Sequence, residues 1–124
     1  MTRVCFQLQI RADRFAEYRE RHSPVSPAML REIAASGRTN YSLFLRPDGM
    51  LIGYYETDDV ALSNSYLAAS AVASAWETEM APFFESLDGR ADQVAVILPE
   101  LFNLDDQLLA LASPENPDTP ARNG

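Results

Sequence analysis

The segment NYSLFLRPDGMLIGYYE, residues 40–56, carries the clearest structural pattern in this 124-residue chain. Two strand-forming runs, NYSLFL and MLIGYYE, flank the four residues RPDG. Proline followed by Asp-Gly is typical of a tight turn, because proline fixes φ and glycine accepts a left-handed backbone. The segment therefore predicts an antiparallel hairpin, the second and third strands of a sheet.

A strand pattern also lies near each end of the chain. In residues 4–10, VCFQLQI, apolar side chains alternate with Cys5, Gln7 and Gln9, which is the period of a half-buried strand. The segment QVAVIL, residues 93–98, predicts a fourth strand. The hairpin is thus expected to lie within a four-stranded sheet.

The segment DRFAEYRERH, residues 13–22, predicts the first helix. Phe15, Tyr18 and His22 repeat at helical offsets, so one face carries all three rings. Asp13 is placed to cap the N-terminal end.

A second helix is expected after Pro24, which interrupts the helical pattern. Ser26 is placed as its N-cap and Pro27 suits its first position. Gly37 stands where a left-handed residue commonly ends a helix.

The stretch between the hairpin and the last strand predicts two more helical segments. Asp58 and Ser70 are each placed to cap one of them, and Trp76 and Met80 lie four residues apart. Pro82 is expected to fall near the end of the second segment or to kink it.

The order strand, helix, two strands, helices, strand predicts an α+β fold. It matches the ferredoxin-like split βαβ arrangement, a four-stranded antiparallel sheet with helices on one face. The other face needs a cover, and a second copy of the chain is a natural one, so we expect a homodimer. Residues 1–111 are expected to form one domain. Residues 112–124, rich in proline and turn formers, are expected to form a flexible tail.

Charge and composition exclude several classes of function. The formal net charge of −8 repels phosphate backbones and anionic lipid headgroups, so neither nucleic acid nor membrane is an expected partner. No apolar run approaches the ~18 residues of a membrane span. Cys5, the single cysteine, cannot form an internal disulfide and is expected to be buried and inert in the first strand. A reducing cytoplasm is the expected location.

His22, the only histidine, is the first candidate for chemistry. It lies four residues after Tyr18, so the two side chains share a helical face. Histidine exchanges protons near neutral pH, and a tyrosine hydroxyl can orient a polyol. The simpler explanation is that His22 caps the helix C-terminus before Pro24, and from spacing alone this is the commoner case.

Aromatic residues elsewhere have a similar double interpretation. Trp76 and Tyr41 suit the core, yet an indole face and a phenol hydroxyl also suit the walls of a small sugar site. Glu56 is a candidate base or hydrogen-bond acceptor at the end of the third strand, although a solvated strand end is the commoner explanation.

Taken together, these segments resemble the L-rhamnose mutarotase family. The similarity is carried by EYRERHSPVSP, by GRTNYSLFL, by YYE ending at Glu56, and by Trp76 followed four residues later by Met80. It runs from the first strand through LPELFNL.

The resemblance implies a dimeric ferredoxin-like enzyme, an isomerase that interconverts the α and β anomers of L-rhamnose without a metal or organic cofactor. It implies that His22 is the proton donor. Tyr18, Tyr41 and Trp76 are implied to bind the sugar.

The chain also departs from the family pattern. Ser26 and Ala28 stand where the family commonly has Trp and Glu, and Glu77 stands where a second aromatic often follows the tryptophan. These departures affect the expected pocket wall and hence the preferred sugar. A cofactor-free monooxygenase and a non-catalytic binding module are alternatives on the same fold, which by itself does not choose among them.

As a mechanism, protonated His22 would deliver a proton to the ring oxygen while a base removes one from the anomeric hydroxyl. At the level of sequence, the base is either Glu56 or water.

Overall fold

The computed structural model describes residues 1–85 and 90–112. The strands are β1 (Thr2–Gln9), β2 (Thr39–Leu45), β3 (Met50–Thr57) and β4 (Val96–Leu98). The helices are α1 (Phe15–Arg21), α2 (Pro27–Ala35), α3 (Val60–Ala69), α4 (Ala71–Met80), α5 (Ala91–Val94) and α6 (Leu104–Ala112). Short 3₁₀ turns precede α1 at Ala12–Arg14 and follow α4 at Ala81–Phe83.

The four strands form one antiparallel sheet in the order β2-β3-β1-β4. This is the predicted ferredoxin-like topology, and the predicted hairpin is its β2–β3 unit. Gly49 closes the hairpin with φ +93°, and its N–H donates to the Arg46 carbonyl at 2.9 Å. The predicted fourth strand is shorter than residues 93–98, because Gln93 and Val94 belong to α5.

Alternation along β1 and β3 separates the two faces of the sheet. Val4 pairs with Tyr55, and both are buried on the face that the helices cover. Phe6 pairs with Gly53, where a Cβ atom would stand 2.1 Å from the Phe6 ring, so glycine leaves the space that this ring fills. Cys5 points to the opposite face and is half-buried, which corrects the expectation that it is buried.

Helix caps agree with the sequence in part. Ser26 accepts from the Met29 N–H, Pro27 begins α2, and Gly37 follows it with φ +93°, as predicted. Asp59, not Asp58, caps α3, since its Oδ1 accepts the Leu62 N–H at 2.9 Å.

The remaining cap predictions concern α1 and α4. Asp13 lies in the 3₁₀ turn before α1 and does not cap that helix, whose N-cap is Arg14. Ser70 caps α4 as expected. Pro82 lies in the turn just after α4, so it falls beyond the helix end rather than kinking it.

Two apolar clusters join the helices to the covered face of the sheet, and a third joins α2, α3 and α4 to one another. One centres on Ile10, Tyr18 and Met80, another on Val4, Phe6 and Tyr55, and the third on Met29, Leu67 and Ala73. The first brings α1, α4 and the end of β1 together. This cluster fixes the position of Tyr18.

The C-terminal helix α6 was not predicted. Leu104, Leu108 and Leu111 recur at helical spacing in the sequence, but half or more of each side chain is exposed in the structure. It is linked to β1 by Arg3, which bonds to Asp106 and to Glu100. Residues 113–124, which make up nearly all of the expected tail, lie outside the described residues. None of the helices in residues 1–85 and 90–112 has the length and apolar character of a membrane span.

The two left-handed glycines permit a stability test of the hairpin. At Gly49 a Cβ would stand 2.1 Å from the backbone oxygen of Ile10, whereas at Gly37 the nearest atom is 3.5 Å away. Both Gly→Ala variants carry the cost of a positive φ, on the order of 1 kcal/mol. In urea unfolding, we expect Gly49→Ala to lower the free energy of unfolding by at least ~1 kcal/mol more than Gly37→Ala does, because the backbone at Ile10 or Gly49 must shift. Equal losses for the two variants would show that the clash is relieved without cost.

Candidate active site

Tyr18 and His22 lie together at the end of α1. Tyr18 is buried, and its ring centroid lies 4.2 Å from that of His22. His22 Nδ1 lies 2.9 Å from the Tyr18 carbonyl oxygen. Because a carbonyl only accepts, Nδ1 carries the hydrogen and Nε2 is the nitrogen left to exchange protons with a ligand.

The helix-capping explanation for His22 is correct but incomplete. His22 is the C-cap residue of α1, and its backbone N–H bonds to the Arg19 carbonyl. Its side chain nevertheless turns toward α4, where the Trp76 ring meets it edge-on at 5.3 Å between centroids. One residue therefore both ends the helix and contributes to a pocket.

Tyr41 enters the same region from β2. It lies on the covered face of the sheet, where its ring contacts Phe6 and Tyr55 at centroid distances of 6.3 and 5.4 Å. Burial raises the pKa of Tyr41 to about 12, with Arg38 opposing that shift. The hydroxyl is therefore a neutral donor and acceptor at neutral pH.

Arg38 is a site residue that the sequence did not reveal. It is 5% exposed, and its guanidinium donates to Ser63 Oγ at 2.9 Å and to Asn64 Oδ1 at 2.7 Å. The guanidinium also lies over the Tyr55 ring, 4.1 Å from its centroid. These contacts hold a rigid cation beside Tyr41.

The aromatic residues enclose two adjoining cavities between the sheet and the helices, of about 230 and 360 Å³. Residues that line both cavities include His22, Arg38, Tyr41, Trp76 and Glu77. Tyr18 lines the smaller one. The smaller volume lies below the ~300–1,000 Å³ of typical drug-sized sites and suits a small ligand.

Glu56 does not belong to this site, which corrects its candidacy as the base. Strand alternation turns Glu56 to the face opposite Tyr55, where it accepts from Tyr54 Oη at 2.8 Å and from Asn40 Nδ2 at 3.1 Å. Both hydrogen bonds lower the pKa of the Glu56 carboxyl, and the bond from Tyr54 has the larger effect. Glu56 therefore lies on the uncovered face of the sheet, away from the cavities.

Burial controls the protonation of the site. It lowers the pKa of His22 below the usual 6.5, and the hydrogen bond to the Tyr18 carbonyl offsets only part of that effect. Burial also raises the pKa of Tyr18 well above its usual value, so this hydroxyl stays protonated. Within the described residues, no group of three or more His, Cys, Asp or Glu side chains is arranged to hold a metal ion.

Comparison with known proteins identifies the family. The family model for L-rhamnose mutarotase matches residues 3–104, which contain every element from the body of β1 to the start of α6. The chain belongs to the L-rhamnose mutarotase family. The chain is therefore an enzyme of the isomerase type, as the resemblance implied.

Individual mutarotases agree with this membership. An L-rhamnose mutarotase of Bacillus subtilis (strain 168) is 31% identical over 106 residues, covering 85% of this chain and all of that protein. One from Oceanobacillus iheyensis is 30% identical over the same extent. The crystal structure of an L-rhamnose mutarotase from Formosa agariphila superposes with a TM-score of 0.69 at 20% identity, covering 84% of this chain and 99% of that one, which supports the fold.

Of the three departures from the mutarotase pattern, one lies in the pocket. Ser26 and Ala28 are exposed at the start of α2 and line neither cavity. Glu77 follows Trp76 on α4 and lines both. Of the three departures, only Glu77 therefore changes the pocket wall, by placing a carboxylate in it.

Proposed function

We propose that this protein interconverts the α and β anomers of L-rhamnose or a closely related aldose. The observation that carries the proposal is the convergence of His22, Tyr18, Tyr41 and Trp76 on one small cavity. The pocket offers an indole, two phenol hydroxyls and an imidazole. These groups match a pyranose, which has apolar C–H faces and a rim of hydroxyls.

His22 is assigned as the proton donor. Opening the ring requires a proton at the ring oxygen while the bond from that oxygen to the anomeric carbon breaks. Nε2 of protonated His22 supplies that proton, with Nδ1 held by the Tyr18 carbonyl. The open aldehyde then turns and closes on its other face, returning the proton.

The other three residues bind the sugar. Trp76 stands beside His22 and provides a wall against which the ring stacks. The hydroxyls of Tyr18 and Tyr41 stay protonated at neutral pH, so each can hold a sugar hydroxyl as donor or acceptor. Positioning of this kind needs no cofactor.

Polarimetry tests the proposal directly. Freshly dissolved α-L-rhamnose changes its optical rotation as it equilibrates, and the protein should shorten that relaxation at catalytic concentrations. Saturable sugar binding without acceleration would favour the binding-module alternative. Oxygen consumption with an aromatic ligand would favour the monooxygenase.

We further propose that the protein is a homodimer formed through the uncovered face of the sheet. Phe44 is 64% and Val96 57% exposed on that face, next to half-buried Ile52 and Tyr54. A second copy presents the same strip of side chains, so a two-fold interface buries both. The lone cysteine on this face is free, in keeping with the proposed cytoplasmic location.

Sedimentation velocity at micromolar concentration tests the dimer. The wild type should sediment as a dimer, and Phe44→Asp should shift it to monomer, because a carboxylate in a closed apolar interface is costly. Leu62→Asp is the matched control, since Leu62 is 66% exposed on α3 in the helical layer. A monomeric wild type would contradict the proposal.

A further inference from the structure

The proposed reaction needs a base as well as an acid. A proton must leave the anomeric hydroxyl as another reaches the ring oxygen. Water can do this slowly, as in free solution, but a placed carboxylate does it faster. With Glu56 on the far side of the sheet, a carboxylate base faster than water has to come from the walls of the cavities.

Glu77 meets this requirement by position. Among the described residues that line the two cavities, it carries the only carboxylate. It follows Trp76 on α4, whose indole touches the His22 ring, and it lines the same two spaces as His22 and Tyr41. An acid and a carboxylate therefore face one volume from neighbouring helices.

Electrostatics agree with this placement. The pKa values of Tyr18 and Tyr41 are raised first by burial, and the negative charge of Glu77 adds to both. These tyrosines come from α1 and β2, on different walls of the pocket. Glu77 is therefore near both hydroxyls, and all three residues line the cavity where the sugar is proposed to bind.

We propose that the Glu77 carboxylate is the general base that removes the proton of the anomeric hydroxyl, an inference that rests on the proposed mutarotation. In ring opening, His22 gives its Nε2 proton to the ring oxygen, and the electron pair of the breaking carbon–oxygen bond goes to that oxygen. Glu77 takes the hydroxyl proton, and the anomeric carbon becomes an aldehyde. Ring closure reverses both transfers, so each group regains its starting form.

Glu77→Gln tests the base by removing its charge at nearly constant shape. We expect kcat for L-rhamnose to fall roughly a hundredfold or more, with a much smaller change in KM. A merely structural role would not produce a loss confined to kcat. Glu79→Gln is the matched control. It lies two residues further along α4, is exposed and pairs with Arg21, and should leave kcat unchanged.

Chemical rescue provides a second test, which remains interpretable if the variant protein is less stable than the wild type. In Glu77→Ala, added formate should restore part of kcat, because a small carboxylate can take the vacated place. Unchanged kcat in Glu77→Gln, with the wild type active, would overturn the inference and leave the proposed function standing. No acceleration by the wild type on any aldose would overturn both.

Discussion

His22→Ala is expected to lower kcat for L-rhamnose mutarotation by about 10²- to 10⁴-fold, the contribution of a well-placed general acid. Alanine removes the nitrogen that delivers the proton, and the neighbouring groups cannot substitute for it. The pKa values of Tyr18 and Tyr41 are both raised by burial, which makes their hydroxyls weak acids. Polarimetry on freshly dissolved sugar gives the rate.

Tyr18→Phe is the matched comparison for this variant. It keeps the buried ring, which packs on His22 and Phe83, and deletes one hydroxyl. The loss should be milder than for His22→Ala, because one hydrogen bond to substrate disappears rather than the acid itself. A folded His22→Ala protein that equilibrates the anomers at the wild-type rate would refute the assignment of His22. Circular dichroism establishes that each variant is folded.

The change of kcat/KM with pH should be as large as the effect of the His22→Ala substitution. Burial places the pKa of His22 below 6.5. The acid is its protonated form, so the active fraction falls as pH rises through that pKa. Above it, kcat/KM is expected to decrease about tenfold for each pH unit, and the decline should begin below pH 6.5.

This profile is measured from pH 5 to 9 at constant ionic strength, with the spontaneous rate subtracted at each point. His22→Ala should lose the basic limb. A kcat/KM that stays flat or rises to pH 9 would mean that protonated His22 is not the acid. It would leave the fold and the family unaffected.

The fold could be predicted almost entirely from local signals. The Asp-Gly turn fixed the hairpin, and the alternation of Val4 and Phe6 with Cys5 fixed the buried face of β1. The C-terminal helix α6 was missed, although Leu104, Leu108 and Leu111 recur at helical spacing in the sequence. α6 makes its polar contacts with Arg3, a hundred residues earlier, and its leucines find no buried face within one copy.

The site could be predicted where spacing alone determines geometry. Tyr18 and His22 are four residues apart on one helix, and the structure places their rings in contact. Glu56 was a wrong candidate for a reason already present in the sequence: it directly follows Tyr55, and adjacent strand residues face opposite ways.

Arg38 and Glu77 needed three-dimensional information. Arg38 is held by Ser63 and Asn64 of α3, some twenty-five residues away, and nothing in its local sequence indicates that contact. Glu77 was noted from the sequence only as a departure in the expected pocket wall, and its local sequence is that of an ordinary helix-surface carboxylate beside a tryptophan. Only the packing of α4 against α1 and the sheet turns it toward the cavity.

Saturation-transfer NMR on the anomeric protons measures the exchange between the α and β forms of the sugar at equilibrium. Wild-type protein should accelerate that exchange for L-rhamnose more than for L-fucose or D-glucose, and His22→Ala should abolish the acceleration. Exchange that stays at the spontaneous rate for all three sugars would contradict the proposed mutarotation.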